Sequence, residues 1–299
     1  MKSSIPMLIV QSRCVPDLAG LVAAALLAFG GGSAAAQDVV IGAPVEEAEV
    51  APPSLGLMGT IPIYWGEAAG LEEMLAGTAR PHWARPVIAR DFTLQPVDYL
   101  SGQALAGFDR LLLAQPRGLT AEENVALDAW VRGGGRLLLF ADPMMTGESR
   151  FAIGDRRRPQ DVALLSPILR HWGLELLFDP EQDGEMAMRE FAGTNIPVAL
   201  SGTFAVHGSD FARCALFAAD MVARCTVGAG EALIVADAAL LDLDGPHDGA
   251  PAALRRLLAE GLGISRDNGD GSATAGAKGA RNRPRDPHSM AQVRRAESP

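Results

Sequence analysis

The sequence predicts an α/β fold with a mostly parallel sheet and a β-rich C-terminal portion. Apolar runs at residues 111–114 and 137–141 flank a helical segment that begins at Thr120 and ends at the glycines 133–135. Short runs of large apolar residues on both sides of a helix are typical of parallel strands buried on both faces. Polar residues directly follow both runs, at the strand ends where such sheets bind ligands.

The helix between these two strands has the clearest local signals. Thr120 and Glu123 have the spacing of a capping box, in which each side chain accepts a hydrogen bond from the other residue's backbone. Gly133 is predicted to end the helix in a left-handed conformation. One face is apolar at helical spacing and contains Leu127, Trp130 and Val131.

The other elements follow from shorter patterns. We expect strands at residues 61–65 and 86–90, and helices at 71–75 and 97–106. After a loop at 143–159, Asp161 is predicted to cap a helix that precedes a strand at 174–178. Residues 196–237 alternate in a β-like way and end in a buried strand at 232–236, and a final helix is expected at 252–262.

The N-terminal 36 residues have the features of a signal peptide. Lys2 and Arg13 precede an apolar run at residues 18–29, which is too short to span a bilayer. Small residues precede the predicted cleavage site between Ala36 and Gln37. The mature chain is therefore expected to be periplasmic or secreted. The alternative is an uncleaved N-terminal segment that anchors the protein in the membrane.

Composition divides the rest of the chain into three parts. Residues 37–58 are predicted to be a linker, residues 59–264 the α/β domain, and residues 265–299 a disordered basic tail with seven Lys or Arg and four Asp or Glu. The tail either contacts an anionic partner or is simply solvated. Residues 37–264 have 17 basic and 31 acidic residues, a net charge of −14, which disfavours binding to nucleic acid.

Two of the three cysteines remain after signal cleavage. Cys14 lies in the signal, whereas Cys214 and Cys225 lie in two short apolar runs that could form a hairpin. In an oxidising compartment they are predicted to form a disulfide, and free buried thiols are the alternative. Their spacing is not that of a redox or metal motif.

Three aspartates are each the first polar residue after a predicted buried strand: Asp91, Asp142 and Asp237. Such carboxylates could bind a divalent metal, a sugar or an amine, or they could cap the following loop. Arg117 could pair with Asp142 or bind an anion, or be a surface cation. The candidate ligand-binding residues are therefore Arg117, Asp142 and Asp237.

The segment from Asp242 to Asp248 superficially resembles a calcium loop. It has Asp242 and Asp244 but lacks the terminal Glu of an EF-hand, so it is interpreted as a turn and a helix cap. No dinucleotide, phosphate-loop, nucleophile-elbow or zinc-protease motif is found. The sequence thus predicts no catalytic residue, no cofactor and no metal site.

The ordered series of motifs resembles the auxiliary domain of uncharacterised ABC-type transport systems, as found in gliding-motility transporter accessory proteins. A domain of an intraflagellar-transport protein is similar. The resemblance extends over residues 61–262, and it depends on the ordered series, because a helix ended by glycines and followed by Asp-Pro is common by itself. The motifs lie at residues 112–116, 119–120, 126–131, 133–138, 141–143, 164–178, 227–230 and 233–237.

The resemblance implies a three-layer fold like that of class I glutamine amidotransferases (flavodoxin-like), but no enzyme, since no Cys or Ser stands at a strand-end elbow. It implies an exported, non-catalytic binding module whose partners are the permease or ATPase subunits of an ABC transporter, or another envelope protein. No membrane helix follows the domain, so such an association would be non-covalent. The alternatives are a carboxylate- or metal-dependent hydrolase that uses Asp142 and Asp237, and an envelope scaffold.

Overall fold

The computed structural model describes residues 51–68, 70–242 and 244–264. The predicted signal peptide, its Ala36–Gln37 cleavage site and the C-terminal tail lie outside these ranges. The helices are α1 (Leu71–Ala76), α2 (Ala84–Ile88), α3 (Gly102–Leu105), α4 (Ala121–Arg132), α5 (Ser166–His171) and α6 (Ala250–Leu262). The strands are β1 (Ser54–Gly59), β2 (Thr93–Pro96), β3 (Arg110–Ala114), β4 (Arg136–Phe140), β5 (Leu174–Leu177), β6 (Ala187–Phe191), β7 (Thr194–Val198), β8 (Thr203–Val206), β9 (Arg213–Phe217), β10 (Val222–Val227) and β11 (Gly230–Val235).

Seven strands form the central sheet, in the order β2-β1-β3-β4-β11-β10-β9. The first five are parallel to one another, whereas β10 is antiparallel to both β11 and β9. The order of the parallel strands is that of flavodoxin-like sheets. The predicted mostly parallel α/β sheet is therefore confirmed, whereas the class I amidotransferase fold stays a prediction.

The expected β-rich C-terminal portion is also confirmed. In addition to β9–β11, it contributes two small antiparallel pairs, β5 with β8 and β6 with β7. The predicted strand at 174–178 exists as β5, but it lies in one of these pairs rather than in the central sheet.

The core lies on the central strands. Leu112, Leu138 and Leu233 are in register on β3, β4 and β11, and all three are fully buried. Helix α6 packs on β4 and β11, where Gly261 lies so close to the strands that a Cβ there would touch Leu138 and Leu233 at 3.3 Å. The apolar runs form strands because both of their faces are covered.

The first predicted strand is wrong. Residues 61–65 form a turn, in which the Gly66 N–H donates to the Pro62 carbonyl. The strand is β1 instead, and all of it except Gly59 lies in the stretch predicted as a linker. Its glycines obscured the pattern, but one is required there, because a Cβ on Gly59 would collide with the carbonyl oxygen of Ala114 on the adjacent strand.

The second predicted strand, at 86–90, is also wrong, since this segment lies mainly in helix α2. Ala84 and Ile88 are four residues apart and fully buried, while Pro86 occupies the first turn, where a helix tolerates it. The edge strand β2 follows instead. Asp91 consequently lies in a turn after a helix, not at the end of a strand.

Helix α4 confirms the predicted capping box between Thr120 and Glu123. The left-handed residue after it is Gly134, with φ of 117°, whereas Gly133 retains helical dihedrals. The predicted end of the helix is therefore confirmed, whereas the left-handed residue was predicted one position early.

The neighbouring helices are shorter than predicted. Within residues 97–106 only α3 is helical, and the Ser101 side chain caps it. Helix α5 begins at Ser166, and Asp161 does not cap it but pairs with Arg158 at 3.1 Å. The final helix matches its prediction, beginning two residues earlier. Among the described residues, no helix has the length and apolarity that a membrane span requires.

The predicted disulfide is present. Cys214 on β9 and Cys225 on β10 lie directly opposite each other in an antiparallel pair, with their Cα atoms 4.0 Å apart. The bond closes a loop between residues 11 apart in sequence. It ties the outermost strand to the antiparallel end of the central sheet.

Replacing both cysteines by alanine should lower the free energy of unfolding by about 3 kcal/mol, because the loop closed by the bond restricts the unfolded chain. Urea titration of the parent and the Cys214→Ala/Cys225→Ala variant measures the difference. An unchanged free energy of unfolding would show that the bond does not stabilise the hairpin.

Candidate functional site

Four polar residues lie at the carboxyl ends of the central parallel strands, and we call them the strand-end row. Thr60 follows β1, Gln115 follows β3, Asp142 follows β4 and Asp237 follows β11, the last two with one alanine between. Asp142 and Gln115 are fully buried, and Asp237 is nearly so. The sequence predicted the positions of Asp142 and Asp237 but not the roles of Thr60 and Gln115.

Gln115 connects the middle of the row. Its Nε2 donates to the carbonyl oxygens of Asp142 at 3.0 Å and Gln160 at 2.9 Å, and its Oε1 accepts from the Asp142 N–H at 2.8 Å. Thr60 Oγ1 accepts from the Gln160 N–H at 2.8 Å and donates to the Gln115 carbonyl. These bonds hold Gln115 at a φ of 47°, a left-handed conformation that is unfavourable for residues other than glycine.

Both aspartates of the row accept hydrogen bonds from backbone N–H groups. Asp142 Oδ1 accepts from Met144 and its Oδ2 from Ala238, both at 2.8 Å. Asp237 Oδ1 accepts from Ala239 at 2.9 Å and its Oδ2 from Ala199 at 3.0 Å. All four carboxylate oxygens are thus used to stabilise the loops that follow β4, β7 and β11. This is the capping role that was one of the two readings of the sequence.

The structure brings Asp142 and Asp237 close enough to interact electrostatically. Burial raises the pKa of Asp142 to about 6, although its two backbone hydrogen bonds oppose that change. Burial also raises the pKa of Asp237 well above its usual value, and the charge of Asp142 raises it further. Two buried carboxyl groups that repel each other favour protonation of the pair.

A third buried carboxylate, Asp242, follows the short 3-10 helix Ala239–Leu241. Burial raises its pKa to about 7; His247 opposes this change, and the charges of Asp244 and Asp142 add to it. Its Oδ1 has no hydrogen-bond partner. Sequence reasoning treated this segment as a turn, and only the pattern Asp-x-Asp-x-x-His could have indicated a cluster.

Arg117 lies apart from the two aspartates and interacts with helix α4. Its guanidinium forms two bonds of 2.8 Å with the buried carboxylate of Glu123, and it also donates to the Asp98 carbonyl. Burial alone would raise the pKa of Glu123. The bonds from Arg117 and from the N–H groups of Thr120 and Leu100 outweigh burial and lower that pKa to about 2. Ligand binding by Arg117, Asp142 and Asp237 stays a prediction.

A surface groove of about 400 Å³ lies beside the row, at the carboxyl end of β1. We call it the Trp65 groove. In the sheet order found here, β1 and β3 flank the point where such folds bind ligands. Trp65 and Leu71 are 54% and 64% exposed, and the Arg157 guanidinium lies over the Phe151 ring at 4.1 Å. The lining includes Gly59, Thr60, Trp65, Leu71, Phe151 and Arg157.

Substituting Glu123 by glutamine should lower the free energy of unfolding at pH 7 by about 1–3 kcal/mol, because charged hydrogen bonds to Arg117 are lost. The folded pKa of Glu123, about 2, lies below its ordinary value of 4.5. Its stabilisation is therefore complete above pH 4.5 and is lost as the pH falls toward 2.

Denaturant titrations of parent and Glu123→Gln protein at pH 7 and pH 3 measure this difference. The neighbouring exposed Glu122→Gln variant is the control and should change stability by about 0.5 kcal/mol or less. A Glu123→Gln effect of equal size at both pH values would contradict the assigned ion pair.

Residues 84–195 match the family model described as "ABC-type uncharacterized transport system". No curated protein matches the chain.

Similar solved structures include Gan42B, a GH42 beta-galactosidase from G. stearothermophilus, at 16% identity and a TM-score of 0.42, with 71% of this chain and 30% of that chain covered. The mmIFT52 N-terminal domain is 13% identical with a TM-score of 0.42, covering 74% and 100%. A ThuA-like protein from Bacteroides uniformis is 10% identical with a TM-score of 0.38, covering 74% and 98%.

This chain spans less than a third of the length of the beta-galactosidase. At this level of similarity, the names of the solved structures say nothing about the activity of this chain. The family match lies inside the α/β domain and extends from α2 into β7. The match over residues 84–195 thus confirms the resemblance to the auxiliary domain of an uncharacterised ABC-type transport system that the sequence motifs indicated.

Proposed function

We propose that this protein is an exported, non-catalytic accessory module that binds a protein subunit of an ABC-type transport system. The observation that carries the proposal is the match of residues 84–195 to the family of such systems. The candidate partners are the permease and ATPase subunits, or an envelope protein associated with them.

The hydrogen bonds of the strand-end row support a non-catalytic role. A carboxylate that acts as a general base or a metal ligand needs lone pairs that a proton or an ion can reach, and burial together with backbone hydrogen bonds reduces that access. Both oxygens of Asp142 and both of Asp237 already accept backbone hydrogen bonds in a buried setting. No contact in the row favours the alternative of a hydrolase built on these two residues.

The Trp65 groove is the contact surface that we propose for the partner. The loop after β4 contributes Phe151 and Arg157 to it, and the turn after β1 contributes Trp65. Exposed aromatic and aliphatic side chains around a concave surface, together with an arginine, are typical of protein-binding sites. The strand-end row holds the start of both loops, so it would preorganise this surface.

Export by the N-terminal segment is part of the proposal. Cleavage between Ala36 and Gln37 would release the mature chain into the periplasm or the medium, and an uncleaved segment would tether it to the membrane. The disulfide between Cys214 and Cys225 is consistent with an oxidising compartment.

Affinity purification of the full chain from cross-linked envelopes of its host tests the proposal. We expect a permease or ATPase subunit of an ABC transporter to co-purify with the parent. The double variant Trp65→Ser/Leu71→Ser should reduce its recovery about tenfold or more, because interface anchors of this kind contribute about 2 kcal/mol each.

Val125→Ser is the matched control, since Val125 is 71% exposed on α4 and does not line the groove. It should leave recovery unchanged, and thermal melts should show that all variants are folded. Absence of any transporter subunit from the parent sample, or turnover of a substrate by the purified protein, would contradict the proposal.

A further inference from the structure

The loop between the 3-10 helix and α6 brings three potential metal ligands together. One side-chain ligand atom from each of Asp242, Asp244 and His247 lies within 4.8 Å of the other two. Within residues 51–264, as far as the structure describes them, this is the one group of three His, Cys, Asp or Glu residues with that geometry. Asp242 is buried, His247 is half-buried and Asp244 is exposed, so the cluster is open to solvent on one side.

Two buried atoms of this cluster have no hydrogen-bond partner. They are Oδ1 of Asp242, whose residue is only 4% exposed, and Nε2 of His247. The imidazole Nε2 lies 3.5 Å from the other carboxylate oxygen of Asp242, which leaves Oδ1 unpaired. A buried carboxylate oxygen without a partner is rare in proteins and calls for an explanation, of which a bound ion is one.

The backbone of this loop is fixed by distant parts of the chain. The Trp83 indole donates to the Asp242 carbonyl at 3.0 Å, and His82 Nε2 bonds to the Leu241 carbonyl at 2.9 Å. Gly147 allows the Asp242 carboxylate to approach, since a Cβ there would lie 2.6 Å from Oδ1. The carboxylate is therefore preorganised rather than free to turn toward water.

The helix cap predicted for this segment does not use these side chains. Gly249 is the N-cap of helix α6 and makes no side-chain capping bond, and the N–H groups of the first turn donate to the carbonyls of His247 and Gly249. The carboxylates and the imidazole thus have no structural role in starting the helix.

We propose that Asp242, Asp244 and His247 form a binding site for one divalent transition-metal ion, with Zn²⁺ as the preferred ion. Two carboxylates and one imidazole are a donor set that suits Zn²⁺, with water at the remaining position. The metal would bind the carboxylates of Asp242 and Asp244 and the imidazole of His247, and it would neutralise the buried carboxylate. A calcium site would instead need six to eight oxygen ligands and no imidazole.

The proposed site shares one residue of its loop with a surface pocket. Gly245 lies within the metal-binding loop and also lines a pocket of about 390 Å³, together with His82, Trp83 and Arg80. A metal bound between residues 242 and 247 would therefore stabilise one wall of that pocket.

Equilibrium dialysis of the full, metal-stripped chain against Zn²⁺ tests the site, with bound metal measured by mass spectrometry. We expect one equivalent of Zn²⁺ per chain in the parent. Affinity should fall about 100-fold or more in Asp242→Asn and in His247→Gln, since changing even the residues behind metal ligands costs about 10–100-fold. Asp244→Asn should weaken binding less, because Asp244 is exposed. Circular dichroism checks that the variants are folded.

His207→Gln is the matched control, because His207 also pairs with a carboxylate, that of Glu175 at 2.7 Å, but is not part of the three-residue cluster. Zn²⁺ binding should be unchanged in this variant. Three results would each overturn the proposal: no bound Zn²⁺ in the parent, Zn²⁺ binding that persists in both Asp242→Asn and His247→Gln, or Ca²⁺ binding as tight as that of Zn²⁺.

Discussion

The fold depends on a set of buried hydrogen bonds at the carboxyl ends of the parallel strands. Gln115 and Asp142 are fully buried where β3 and β4 end, and they exchange three hydrogen bonds with each other and with Gln160. Asp142 and Asp237 then accept four backbone N–H groups from the loops beyond. Leaving one such buried donor unpaired would cost about 1–3 kcal/mol, so the row strongly determines the paths of these loops.

The side chains at the strand ends form hydrogen bonds within the protein. In other α/β sheets, side chains at this position usually bind ligands. The two sites that we propose lie one step further out, in the Trp65 groove and in the loop that contains Asp242 and His247. An accessory module that presents loops to a partner needs this kind of rigid base, because a preorganised surface loses less entropy on binding.

Local signals explain which parts of the structure could be predicted from sequence. The β3-α4-β4 unit was predictable because its apolar runs, capping box and glycine turn all lie within 35 residues, and Cys214 and Cys225 could be paired for the same reason. β1 was missed because Gly59 is explained only by the approach of Ala114 from another strand. The short apolar run at α2 is compatible with a strand or a helix. It forms a helix because Ala84 and Ile88, four residues apart, are then buried on the same side. The grouping of Asp242, Asp244 and His247 could not be predicted, because the Asp242 backbone is held by a hydrogen bond from Trp83, 159 residues away in sequence.

The central claim is that the buried carboxylates of Asp142 and Asp237 hold the strand-end loops. Amide hydrogen exchange of the native protein at neutral pH tests it directly at the four N–H groups that these carboxylates accept, on Met144, Ala199, Ala238 and Ala239. The account predicts that these amides exchange as slowly as the central strands, because they open only when the domain unfolds. Exchange as fast as that of exposed loop amides would show that the carboxylates are free, and would contradict the account.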